Sequence, residues 1–259
     1  MQQQRSYSEG FALHGKVVFI SGSTRGLGLA MACAMARSGA LVYINGRTSQ
    51  SVQQACASLG EQGANVQGLV GDMSVVQDID RCMARLAENH GRCDVLVNNM
   101  GIRIRQPLGA FNFAQMQQML EVNLLGAMYL SQQAAALMQK QRWGRLITIT
   151  SVAGQVARPG DAVYPVAKQG LTGMMRALAV EFAADGITSN AIAPGTFATE
   201  TNMAMAGSAA GEKLAARNPT GRWGQPDEIA GLAVFLASDL SAYINGQVIA
   251  VDGGLSVLF

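Results

Sequence analysis

Residues 16–22, KVVFISG, form a short apolar run ending in glycine, and the small and apolar segment LGLAMACAMARSGA follows almost at once at helical spacing. Such a run reads as a strand buried on both faces, which is the pattern of a parallel sheet covered by helices. Between the two lies GSTRGLG, residues 22–28, spaced G-x-x-x-G-x-G rather than G-x-G-x-x-G. Gly22 permits the turn. Gly26 and Gly28 let backbone approach a pyrophosphate and let the helix pack on the sheet, and the helix N-terminus offers free N–H groups and partial positive charge. A plain glycine turn would use the same residues. The strand–loop–helix setting favours dinucleotide binding, with Gly22, Ser23, Thr24, Arg25, Gly26, Leu27 and Gly28 as the expected contacts.

The alternation continues to the end of the chain. Strands are expected at LVYING (41–46), 65–72, 93–99, 144–151, ITSNAIAP (187–194) and GQVIAVDGG (246–254), with a helical segment between each pair. There is no repeat, low-complexity segment or linker. Right-handed crossovers then give an α/β fold: a single Rossmann-like, doubly wound parallel sheet with helices on both faces. One catalytic domain is expected over residues 13–259, after a flexible tail at 1–12, with a substrate lid at about 195–222. In such sheets ligands bind beyond the carboxyl ends of the strands. GSTRGLG, NGR, NNMG and ITSVAG all fall there.

The bulk composition excludes several classes. The chain has 259 residues, 49% hydrophobic and 14% charged, with net charge +2 and no basic run. Nucleic acid and anionic membrane are therefore not expected partners. No apolar run approaches the ~20 residues that span a bilayer. MQQQRSYSEGFALHGK lacks a secretory pattern, so a cytoplasmic protein is expected. Cys33, Cys56, Cys82 and Cys93 show no C-x-x-C spacing and read as reduced thiols; no metal site is expected.

The end of the second strand reads NGRT. NAD-binding folds often carry a carboxylate here for the ribose 2′-hydroxyl. This chain has Asn45 and Arg47 instead, and Arg25 stands in the glycine loop. Guanidinium groups pair with a 2′-phosphate, so NADP (NADPH) is the expected cofactor. Asp72, followed by Met73, is placed to accept from the adenine amino group. Asn98, Asn99 and Gly101 stand where the nicotinamide half should pass.

Ser151 ends the fifth strand, and Tyr164 and Lys168 follow in YPVAK. Pro165 is tolerated only in a helix's first turn, so a helix should begin near Tyr164. Tyr164 and Lys168 then share one helix face. A phenol titrates near ~10, and a nearby ammonium favours its ionised form. Tyr164 can then exchange a proton with a ketone or alcohol oxygen that Ser151 also holds.

SGSTRGLG, NNMG, Asn123 in EVNLLG, Ser151, YPVAK and PGTFAT together resemble the short-chain dehydrogenase/reductase family over nearly the whole chain, from Leu13 to Gly254. The resemblance implies a tetrad of Asn123, Ser151, Tyr164 and Lys168, with Asn123 anchoring a water that leads to the lysine. It implies that Pro194, Gly195, Phe197 and Thr199 contact the nicotinamide, that Tyr164 and Lys168 also touch the cofactor, and that the protein is a homotetramer. Two positions depart from the family: Ser21 for threonine and Met100 for alanine. The segments GIRIRQPL, QVARP and FATETN look most like the sugar-acid branch, so gluconate 5-dehydrogenase chemistry is expected. Arg103, Arg105 and Arg158 suit that substrate, since arginine binds a carboxylate through two parallel hydrogen bonds. Met203 and Met205 in the lid would suit an apolar ligand instead. A 3-oxoacyl thioester or cyclic ketone is the alternative substrate, and a dinucleotide-binding protein without turnover the alternative class.

Overall fold

A computed structural model describes residues 10–258. Seven parallel strands form one sheet in the order β3-β2-β1-β4-β5-β6-β7. They are β1 (Val17–Ile20), β2 (Leu41–Gly46), β3 (Val66–Val70), β4 (Val95–Asn98), β5 (Gly144–Ile149), β6 (Ile187–Pro194) and β7 (Val248–Val251). The order reverses between β1 and β4, which opens a crevice at their carboxyl ends. The principal helices are α1 (Gly26–Arg37), α2 (Ser49–Gly60), α3 (Val76–His90), α4 (Phe113–Leu120), α5 (Gly126–Gln141) and α6 (Val163–Glu181). Two short helices, α7 (Met203–Ala206) and α8 (Ala209–Ala215), lie in the expected lid, and α9 (Asp227–Ala237) precedes β7.

The period-2 alternation of the strands divides the core. Val18, Ile20, Val42 and Ile44 pack toward Met31 and Met35 of α1 and Ile229 and Ala233 of α9. Val17, Phe19, Tyr43 and Leu96 face Ile79 and Met83 of α3, Leu130 of α5 and Leu171 of α6. Each such large side chain contributes roughly 1.5–3 kcal/mol by burial.

Three details differ from the sequence expectation. Most strands are shorter at their ends, as the flanking residues turn into the loops that carry the site. Helix α4 is an additional element that the strand–helix alternation does not mark separately; Asn112 and Gln115 close a reciprocal capping box at its start. Residues 1–9 of the expected tail lie outside the described residues, but Gly10 and Phe11 are not loose. Phe11 packs 6.2 Å from the Phe235 ring, and a Cβ on Gly10 would meet the Leu240 side chain at 2.6 Å.

Candidate active site

A cleft of about 1460 Å³ follows the carboxyl ends of the strands, from Arg47 past the glycine loop to Ser151, Tyr164 and Lys168. Its shape is set by polar side chains that brace the loops. Asn45 is buried; its Oδ1 accepts from Gly22 N–H at 3.0 Å, and its Nδ2 donates to the Leu69 and Gly71 carbonyls at 3.1 Å. Asn99 Nδ2 donates to the carbonyls of Ser21 (3.0 Å) and Gly22 (2.9 Å). Ser21 Oγ accepts from the Asn99 and Met100 N–H groups, so serine serves in place of threonine. A Cβ on Gly28 would lie 2.5 Å from Asn99 Nδ2, so only glycine allows this clamp.

Gly22, Thr24, Arg25, Gly26, Leu27 and Gly28 line the cleft, as do Asn45, Arg47, Asp72, Asn99 and Gly101. Pro194, Gly195, Phe197 and Thr199 line its far wall. Ser23 and Met73 do not reach it. Ser23 is fully buried, where Oγ donates to the Ile20 carbonyl at 2.7 Å and accepts from Asn45 N–H. Met73 packs in the core against α3 and α5. Asp72 spends one carboxylate oxygen on Ser74, at 2.6 Å from its hydroxyl. The cleft fits a dinucleotide on one direct observation: Gly26 N–H at the start of α1 already donates to a carboxylate, Glu200 Oε2, at 2.9 Å. An anion thus sits on the helix N-terminus where a phosphate would. Arg25 and Arg47 stand exposed nearby on the cleft wall.

Helix α6 begins at Val163, so Pro165 lies in its first turn as expected. Tyr164 and Ser151 both line the cleft, and the Ser151 hydroxyl favours the ionised phenol. Tyr164 packs against the cluster of Phe111, Met119 and Val163, as do Ile102 and Ile104. Lys168 is buried beneath, with Nζ 2.9 Å from the Ile149 carbonyl and 5.6 Å from the Tyr164 ring centroid. Asn123 sits in a π-turn, Glu121–Leu125, between α4 and α5. Its Nδ2 donates to the Met119 and Ile102 carbonyls and its Oδ1 accepts from Ile102 N–H. The side chain is thus occupied in joining the π-turn to the NNMG loop. A Cβ on Gly101 would come within 2.7 Å of Asn123 Oδ1 and 3.4 Å of Lys168 Nζ, so the glycine brings these groups together.

The electrostatics correct one expectation. Burial raises the Tyr164 phenol above its ordinary value, and the charge that most opposes this is Arg103, not Lys168. Lys168 is itself pushed down to about 8 by burial, which weakens the cation it offers. Arg103 lies over the Tyr164 ring, Cζ 4.5 Å from its centroid.

The three predicted substrate arginines separate. Arg103 and Arg105 line the cleft, whereas Arg158 is exposed outside it, 3.8 Å from Asp161. Buried Asp161 receives both Nε and a terminal nitrogen of Arg103. Arg105 has no carboxylate partner among the described residues. Burial and the like charges of Arg103 and Arg158 disfavour its charged form. Met205 lines the cleft and Met203 points away into solvent. Sequence reading missed Asp161, Glu200, Thr48 and Ser51. Only the last two had a local signal, Thr48 being a helix N-cap whose hydroxyl accepts from Ser51 N–H.

A family profile described as enoyl-(acyl carrier protein) reductase matches residues 22–256. The chain is 34% identical to gluconate 5-dehydrogenase of Gluconobacter oxydans, over 97% of this chain and 99% of that protein. The chain belongs to the short-chain dehydrogenase/reductase family. It is an oxidoreductase of that family acting on CH–OH groups, and its sheet is the family's Rossmann-like sheet. It is also 36% identical to a 3-oxoacyl-[acyl-carrier-protein] reductase of Synechocystis, over 94% of this chain and 98% of that one. Among solved structures of the family, it is similar to a gluconate 5-dehydrogenase from Burkholderia cenocepacia in complex with NADP and tartrate. That likeness has a TM-score of 0.93 and 35% identity, covering 98% of this chain and 100% of the other. No helix among the described residues is long and apolar enough to cross a membrane.

Proposed function

We propose that this enzyme interconverts a ketone and a secondary alcohol on a small hydroxylated carboxylate with NADP as cofactor, 5-keto-D-gluconate and D-gluconate first. The observation that carries the substrate class is Arg105, a cleft-lining guanidinium without a carboxylate partner, beside two further arginines that share the single Asp161. A substrate carboxylate supplies the missing anion, and a bidentate pair orients the carbon chain. The Burkholderia relative holds tartrate, a hydroxylated dicarboxylate. Arg25 and Arg47, with no carboxylate at the end of β2, support NADP over NAD.

NADPH, when bound, supplies the hydride. The chain's own residues handle the oxygen. Tyr164 gives its phenolic proton to the carbonyl oxygen, and the Ser151 hydroxyl donates to the same oxygen and fixes its position. Lys168, titrating near 8, stands ready to exchange a proton in the neutral range and, under the phenol, favours phenolate while charged. Asn123 acts by holding the π-turn and the NNMG loop in register. In the alcohol-oxidising direction Tyr164 takes the proton back. Phe197, Thr199 and Met205 of α7 line the cleft; the first two would hold the nicotinamide, and Met205 would help exclude water. A cytoplasmic homotetramer fits this reading. The outward face of α6 carries Val166 and Val180, 62% and 83% exposed, one surface apolar enough for subunit contact.

The test is nicotinamide absorbance with NADPH and NADH separately, each with 5-keto-D-gluconate, and the reverse with D-gluconate. NADPH-dependent turnover that falls about 10²–10⁴-fold in Tyr164→Phe, with NADPH binding kept, is the expected result. Faster turnover of a 3-oxoacyl thioester would overturn the substrate; unchanged turnover in Tyr164→Phe would overturn the tyrosine's role.

A further inference from the structure

We propose that Arg103 and Asp161 are a positioning pair for Tyr164: Asp161 holds the Arg103 guanidinium against the face of the phenol ring, and Arg103, committed there, does not bind the substrate's carboxylate. The first half stands on the geometry of the chain alone. The second half rests on the sugar-acid reading above.

Both oxygens of Asp161 are taken by Arg103: Nε donates to Oδ1 at 3.0 Å, and a terminal nitrogen donates to Oδ2. The Asp161 side chain is 1% exposed and that of Arg103 26%. A carboxylate so buried needs its partner, because losing it leaves an uncompensated charge. Asp161 thus occupies the Nε edge of Arg103, leaving a substrate carboxylate only the outer edge of that guanidinium, while Arg105 offers its whole fork. The fork also fixes the plane of the guanidinium, and that plane lies over the Tyr164 ring at 4.5 Å from Cζ to centroid. The ring's electron-rich face attracts a cation there. Approach from the face stabilises the more electron-rich phenolate and does not compete with the Ser151 hydroxyl for the phenolic oxygen.

The pair also joins the two loops that carry the chemistry. Arg103 follows Gly101 in the NNMG loop, and Asp161 precedes Tyr164 by three residues. The groups facing the phenol are Arg103 and Arg105 from the first loop, Asp161 and Ser151 from the second, and Lys168 from α6, with Arg158 behind Asp161. Arg103 favours the ionised phenol and Asp161 opposes it. Asp161 opposes ionisation by its own charge and favours it by its hold on Arg103, so the two roles separate by asking whether the effect of Arg103 depends on Asp161. A salt bridge that merely sealed the loops would show no such dependence.

The experiment titrates the phenolate ultraviolet band of Tyr164 in the cofactor-free protein. It is read as the difference between each background and the same background carrying Tyr164→Phe, so no substrate is needed. Arg103→Gln is expected to shift the titration to higher pH, and to shift it less in the Asp161→Asn background, where the guanidinium is no longer held against the ring. Arg103→Lys, which keeps the charge without the fork, is expected to fall between wild type and Arg103→Gln, and serves where Gln impairs folding. No shift in Arg103→Gln, or the same shift with and without Asp161, overturns the positioning pair. Separately, with D-gluconate, Arg105→Gln should raise KM at least about tenfold and Arg103→Gln less than about threefold. An equal rise in both would return Arg103 to the substrate site. Lack of gluconate turnover would sink the sugar-acid reading and leave the titration result standing.

Discussion

Lys168 shows how much one buried residue can set. Its ammonium is enclosed, with the Ile149 carbonyl as its hydrogen-bond partner, and burial lowers it from 10.5 to about 8. Each factor of ten in proton affinity is about 1.4 kcal/mol, so enclosing the cation costs about 3 kcal/mol at neutral pH. The sign follows from proton counts. Between about 8 and 10.5 the unfolded chain holds a proton that the folded chain has released, so stability rises with pH across that window. Below about 8 the whole cost applies. Lys168→Met should therefore gain most over the native chain near about pH 7, and the gap should narrow toward about pH 10. Urea midpoints of the two proteins at both pH values measure this; a gap that stays constant would remove the buried-cation account. The residue was legible in YPVAK. Its burial, and the phenol raised rather than lowered beside it, were not, because both depend on what packs over the helix.

At the scale of elements, the start of α1 and the start of the lid touch. Glu200 Oε2 accepts from Gly26 N–H at 2.9 Å, on the N–H groups a pyrophosphate would use. A carboxylate there competes with phosphate for the donor and repels it. Glu200→Gln should tighten NADPH binding several-fold, with the gain shrinking at high salt, as read by NADPH fluorescence titration. Weaker binding would show that Glu200 supports the cofactor. Helix α4 and the π-turn teach a related lesson. Asn123 is visible in the sequence only through the family pattern, yet the extra residue of the π-turn is what lets its side chain reach Ile102 and Met119.

For the whole molecule, the alternation of apolar strands and helices was enough to imply one parallel sheet, because each strand reads as buried on both faces and each connection must cross over. Val166 and Val180 of α6 face outward, and Met128 of α5 is 53% exposed. With the α6 face at the centre of a subunit contact, Val166→Arg should shift the assembly to smaller species in light scattering, at little cost to the fold of the subunit. An unchanged mass would count against a subunit contact on this face.

The sequence by itself determined the fold class, the glycine loop, and the Ser151, Tyr164 and Lys168 set, since each rests on short-range spacing that a strand or helix turns directly into position. Tertiary structure alone decided the rest. It buried Ser23 and Met73 away from the cleft, sent Arg158 to the surface, and set Arg103 on Asp161 while leaving Arg105 open. Those outcomes depend on which loops meet across the carboxyl end of the sheet. Residues 58 positions apart, as Arg103 and Asp161 are, leave no periodic mark of their pairing in the chain.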